Sequence, residues 1–256
     1  MYIELKNIAV SILAMAEMEL RRLRHDPLEI ITRAVQPILW ITVFGVIMAK
    51  ARAFSSVEDY ISFITPGVIL QSSTFIALAY GISLVFERDL GVLKKLLTSP
   101  IPRSSIVIGR AIAGGVRAST QYIIVLISAV AVGAKIIYNP LNLLLGYILL
   151  IYGCIGFTAL SMILAITMKT RERFMGIIGA ITMPLFFASN ALYPIEVMPE
   201  GIKHLAIVNP LTYVVDILRK LLTYNSYEIL ADIAIISIFV LISIVVAIKM
   251  LNRIIE

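Results

Sequence analysis

The sequence predicts an all-α, polytopic membrane protein. It reads as six transmembrane helices, an N-terminal interfacial helix, a short cytoplasmic helix, and short re-entrant helices before the last span. Three observations carry that prediction. Hydrophobic residues make up 60% of the 256 residues and charged residues only 15%, with a mean hydropathy of +0.96, so there is too little polar surface to cover a water-facing globule. Long stretches without Asp, Glu, Lys or Arg recur along the chain: Ala34–Ala49, Tyr60–Phe86, Ala118–Ala134, Ile136–Met168, Phe174–Ile195 and Ile233–Ile248. Third, the Lys and Arg residues between those runs fall unevenly on the two sides.

A charge at the middle of a spanning helix costs about 2.5–3.5 kcal/mol on insertion scales, and a span needs roughly 20 apolar residues. The runs therefore place spans over 34–50, 61–86, 111–134, 141–168, 174–192 and 229–249 within one domain covering 1–256. The longest run is split by Asn139-Pro140, a turn pair. Sixteen Lys and Arg residues fall on the side of the termini and six on the other. The positive-inside rule then puts both termini in the cytoplasm and the chain in the cell inner (plasma) membrane.

The 1–33 segment is read as cytoplasmic and interfacial. Ile12, Ala16, Leu20 and Leu23 share a face at helical spacing, with Glu17, Arg21 and Arg24 pointing away. His25-Asp26-Pro27 ends that helix. Ile8–Ala16 is not read as a cleaved leader, because Glu4 cancels Lys6 and arginines follow the apolar run.

The loop 87–103 runs Glu87-Arg88-Asp89-Leu90-Gly91 and then Val92–Ser99, stopped by Pro100 and Pro102. Val92, Leu93, Leu96 and Leu97 line one side of a helix of about two turns, opposite Lys94 and Lys95. Two turns cannot hold in water alone, so packing must support them, against lipid or a docked protein. The mixed charges at 87–89 suit a protein contact. Arg103, Arg110 and Arg117 recur every seven residues; phospholipid contact is the favoured reading of that face over a substrate entrance.

The segment 193–228 is too apolar for a solvated loop and too broken by Pro194, Pro199 and Pro210 for a span. Irregular backbone at membrane depth survives only when shielded by protein or facing a water-filled cavity. Two short helices near 200–207 and 211–221 are expected to dip into the outer leaflet, the second with Asn209 as cap and Pro210 at its first position. Asp216 and Arg219, three apart, can pair.

Nothing in the chain points to chemistry. His25 and His204 lie outside the spans, Cys154 has no nearby base, and there is no nucleophile elbow, His-Glu-x-x-His site or metal-ligand cluster. The chain is therefore read as no enzyme, without metal or cofactor. Its net charge of +6 flanks apolar runs, which favours membrane lipid over nucleic acid as a partner. The spans carry only neutral polar groups; of these Gln71, Ser72, Ser73, Gln121 and Asn190 are possible pathway-lining residues. An ion-coupled carrier normally holds ionisable groups in its spans. That class, or a channel, is the alternative reading.

Two motifs together resemble the permease subunits of the ABC-2 exporters, most closely the daunorubicin-resistance type. One is Glu87-Arg88-Asp89-Leu90-Gly91 followed by Leu96-Leu97-Thr98-Ser99-Pro100. The other is the series Pro194, Pro199, Asn209-Pro210-Leu211-Thr212-Tyr213, Asp216 and Arg219. The resemblance covers nearly the whole chain. It departs at Val92-Leu93-Lys94, where the family usually has Thr-Leu-Glu, and near Ile202, where an aromatic is usual; the lysine bears on which ATPase docks.

The resemblance implies a homodimeric pore with two ATPase subunits docked beneath. Loop 87–103 would be the coupling loop, with Glu87, Arg88, Asp89, Gly91, Leu93, Leu96, Leu97 and Pro100 as its coupling residues. The chain has no phosphate-binding loop, so ATP would be hydrolysed on the partner. The implied activity is export of an amphipathic drug, lipid or glycan-type substrate. Gly109…Ala113 and Gly176…Ala180 are candidate seams for the dimer, since small residues four apart permit close packing.

Overall fold

A computed structural model of the chain describes residues 10, 13, 14, 17, 21, 27–50, 56–98, 102–168 and 170–252. Most of the expected interfacial helix 8–24, and Pro100, lie outside them. The described residues form helices and no strand. Four helices among them are long and apolar enough to cross a membrane: Val57–Asp89, Arg103–Ala131, Pro140–Thr167 and Leu230–Asn252. Thr32–Met48 is a shorter apolar helix.

In chain order, α1 (Pro27–Leu39) runs through a π-helical stretch, Trp40–Gly45, into α2 (Val46–Lys50). Pro37 lies inside α1; it has no N–H to give the preceding turn, a local defect of the kind that wider helical turns accompany. The second apolar run forms α3 (Val57–Ala79) and α4 (Ile82–Asp89), separated by a turn at Tyr80-Gly81. Ser56 caps α3 by accepting from the Asp59 amide, and Glu58 and Asp59 favour its positive end. Gly81 lies against span residue Ser161 so closely that an added Cβ would stand 2.7 Å from the Ser161 carbonyl oxygen.

The short helix α5 (Val92–Leu97) follows Gly91, whose φ of +71° is the left-handed conformation that glycine adopts without strain. It ends two residues before the expected Ser99, in a turn at Thr98. Next, α6 (Arg103–Ala118) and α7 (Thr120–Ala131) form one long helix with an irregularity at Ser119. It begins eight residues before the expected start at 111.

Asn139 and Pro140 start α8 (Pro140–Thr167), the Asn139 side chain accepting from the Leu141 amide. Thr170 caps α9 (Arg171–Phe187). That helix stops five residues before the expected end at 192, because its last carbonyls are taken by other groups: Leu185 and Ala188 by Asn209, Phe186 by Ser189, and Phe187 by Tyr193. Then follow α10 (Glu200–Val208), α11 (Pro210–Arg219) with a π-helical tail to Tyr224, and α12 (Leu230–Asn252).

The core gathers around α8, which packs on α6, α11 and α12. Small residues permit the approach: Gly114 faces Thr158, Gly153 faces Val214 and Gly156 faces Phe239, each too close for a Cβ without a shift. Gly109 and Ala113 are buried in this packing. They are therefore not a surface seam between two copies, contrary to the expectation from sequence. Gly176 remains open, with nothing within 4 Å of an added Cβ.

Candidate functional site

The motif Glu87-Arg88-Asp89 ends α4, and its three consecutive side chains reach three different helices. Glu87 pairs with Arg110 of α6. Arg88 donates to the carbonyl of Met168, at the end of α8, at 2.7 Å. Asp89 accepts from Arg171 Nε, at the start of α9, at 3.2 Å. Arg171 also stands 3.7 Å over the ring of Phe86, a favourable cation–π geometry. The far end of the loop is fixed as well: Arg103 donates to the carbonyl and side chain of Asn252, closing the C-terminus of α12, where a cation suits the helix dipole.

These contacts present α5 as a short ledge. Leu93 is 2% exposed and anchors it, with Leu96 half-buried. Leu90 is 72% exposed and Val92 41%, so Val92 does not join the buried side as its spacing suggested. Lys95 is exposed. The side chain of Leu97 is outside the described set. Gly91 breaks the chain between α4 and α5, and an added Cβ there would meet nothing within 4 Å, so its role is conformational.

Sequence reasoning missed Arg110 and Arg171 as partners of the motif. The seven-residue arginine series does not form a lipid face: Arg110 is 7% exposed and paired inside the protein, and Arg103 is engaged with Asn252. The available signal was the company Arg110 keeps, since Gly109, Ala113 and Gly114 mark a closely packed face.

The outer motif is built differently. Asn209 accepts from the Leu211 amide to start α11 and donates to Leu185 and Ala188 carbonyls at 2.6 and 2.8 Å. Thr212 and Tyr213 reach back to the carbonyls of Ala206 and Ile207, closing α10. Pro210 takes the first position of α11. Pro194 precedes a 3-10 turn, and Pro199 precedes α10. Arg219 is buried; it donates to the carbonyls of Phe63 (3.3 Å) and Asn190 (2.7 Å), lies 3.9 Å over the Phe63 ring, and is 3.5 Å from Asp216. Asn190 in turn donates to Asp216. Every one of these bonds satisfies a helix end or a buried charge in an apolar setting, as such a setting requires.

Gln71, Ser72, Ser73, Gln121 and Asn190 are all buried inside the protomer. Ser72 borders a small cavity of about 190 Å³ shared with Thr32 and Gln36, next to an open groove of about 760 Å³ along α1 and its continuation. Among the described residues no cluster of His, Cys, Asp and Glu is placed to hold a metal.

The family model for the ABC-2 type transporter matches residues 10–223. The chain belongs to that family. Among similar proteins, the transport permease ycf38 of Cyanophora paradoxa is 29% identical over 210 residues, covering 80% of this chain and 72% of that protein. The daunorubicin resistance ABC transporter permease protein DrrB1 of Streptomyces coeruleorubidus is 24% identical over 203 residues, with coverages of 78% and 70%. A Mycobacterium tuberculosis protein named for doxorubicin resistance, DrrC, is 23% identical over 206 residues, with coverages of 78% and 72%. The chain is thus an ABC-2 transporter membrane subunit, from a family of permeases rather than of enzymes.

Proposed function

We propose that this permease is the pore-forming half of an ATP-driven exporter, with six spans, both termini in the cytoplasm of the inner membrane, and two copies forming the pore. A separate ATPase, in two copies, docks on loop 87–103 and drives export of an amphipathic drug, lipid or glycan-type substrate. The carrying observation is the ledge itself. Leu90 in the turn before α5, and Val92 and Lys95 on α5, are exposed at a corner whose base is tied to α6, α8 and α9. A surface fixed in this way can receive a push and pass it to several helices. The drug-resistance names of two relatives support an amphipathic cargo. The groove beside α1, lined by Gln36 and adjoining the small cavity that Ser72 borders, lies where such a cargo could meet the spans; Gln71, Ser73, Gln121 and Asn190 would line the path only after the helices separate.

The test is extraction in mild detergent from the native host, with and without Leu90→Asp and Val92→Asp together. The parent chain should carry an ATP-hydrolysing subunit, and the double variant should lose it while remaining folded. A parent chain that transports with no such subunit, and in ATP-depleted vesicles, would place it among ion-coupled carriers or channels instead.

A further inference from the structure

The three ties at 87–89 differ in strength. Arg110 sits in the middle of α6, between buried Gly109 and Ala111 and one turn from buried Ala113 and Gly114. Its side chain is 8% exposed and that of Glu87 is 19%. The tight packing around α6 leaves the side chain little access to water, and its Nε has no hydrogen-bond partner. Separating Glu87 from Arg110 would strand a charge in a low-dielectric interior, a heavily disfavoured state. The Asp89–Arg171 pair is of another kind. Both side chains are 39% exposed, and on separation each can be solvated, so little is lost. The Arg88 tie ends on a neutral carbonyl.

Resting on the coupling role proposed above, we propose that Arg110 is a positioning residue: it welds Glu87, and with it the α4–α5 corner, to α6, while Asp89–Arg171 is the contact that opens when α5 is displaced. The corner and α6 then move as one body, and the separation occurs at α9.

Two measurements test this on the full-length chain. In the first, Val92→Cys carries a spin label; native Cys154 is wholly buried and stays unlabelled. Arg110→Gln and Glu87→Gln each loosen the label, Arg110→Lys restores much of its restraint, and Arg171→Gln leaves it unchanged. Loss of the weld shifts the corner's equilibrium by roughly a hundred- to a few-thousandfold, the scale expected when one member of a buried pair is removed. If Arg110→Gln does not insert, the exchange of charges in Glu87→Arg with Arg110→Glu decides: recovered insertion supports the weld, and continued failure overturns it. An unaltered label in inserted Arg110→Gln, or equal loosening by Arg171→Gln, also overturns it.

The second measurement uses Asp89→Cys with Arg171→Cys joined by a reducible cross-linker, in the permease purified with its ATPase. ATP hydrolysis should fall on bridging and return on reduction; hydrolysis indifferent to the bridge overturns the opening at α9. Absence of any ATPase would defeat the exporter reading alone, because the label measurement requires no nucleotide.

Discussion

Arg219 shows how one side chain can hold an element at the edge of a membrane. Its guanidinium is fixed by two carbonyls, an aromatic face and Asp216. Arg219→Met would leave two carbonyls without their donor and Asp216 without its counter-charge, and should cost about 3–5 kcal/mol, the range for breaking a buried charge network. Lysine offers a point charge in place of a planar fork and should recover only part. The check is the unfolding midpoint of the purified chain in detergent; a shift no larger than that of an exposed control such as Lys203→Met would refute the clamp. Asn209 works through neutral bonds. Asn209→Ala removes the cap of α11 and the amide that donates to two carbonyls together, and should cost about 2–3 kcal/mol by the same measurement. These residues were singled out in the sequence, and the Asp216–Arg219 pair follows from their spacing. Their carbonyl partners could not be found there, because every residue has a carbonyl and only the fold singles out Leu185 and Ala188 at the end of α9 for Asn209, and Phe63 and Asn190 for the buried Arg219.

At the scale of elements, the apolar runs revealed where helices lie more reliably than where they stop. Charge-free stretches mark what must avoid water. A helix end is decided by which group caps the last turn, and at α9 the carbonyls before and at Phe187 are taken by Ser189 and Tyr193 just after it and by Asn209 from the start of α11. In the same way, α6 begins at Arg103, well before its charge-free portion, because Arg110 is neutralised from α4 instead of needing water. Helix–helix spacing gives the testable point. An added Cβ at Gly114 would stand 2.4 Å from the Thr158 methyl carbon, so Gly114→Val must force α6 away from α8. Overpacking of this sort costs about 1–3 kcal/mol and should lower the unfolding midpoint. Thr158→Ala in the same chain should relieve part of the loss; additive effects of the two substitutions would show that they do not meet.

For the whole molecule, composition was enough to settle a helical membrane protein, since no arrangement of so few polar residues covers a soluble globule. The partner face was not legible in it. Small residues at i and i+4 allow close approach to any neighbour, and the sequence cannot distinguish a neighbour in the same chain from one in another. Packing separates the two candidates: Gly109 and Ala113 are covered by the protomer's own helices, whereas Gly176 and Gly179 on α9 face open space. In the proposed homodimer, α9 is therefore the better seam. It is also the helix from which the coupling corner parts when Asp89–Arg171 opens, so a seam there would lie beside the contact that changes when α5 moves. Gly176→Leu should leave the protomer's stability nearly unchanged, because the added side chain meets nothing inside it, yet should lower the dimer fraction measured by subunit counting in nanodiscs. Gly109→Leu should do the reverse, destabilising the protomer by overpacking without acting on association through a surface. A dimer fraction insensitive to Gly176→Leu would remove α9 from the seam and leave the α1 groove as the face to examine.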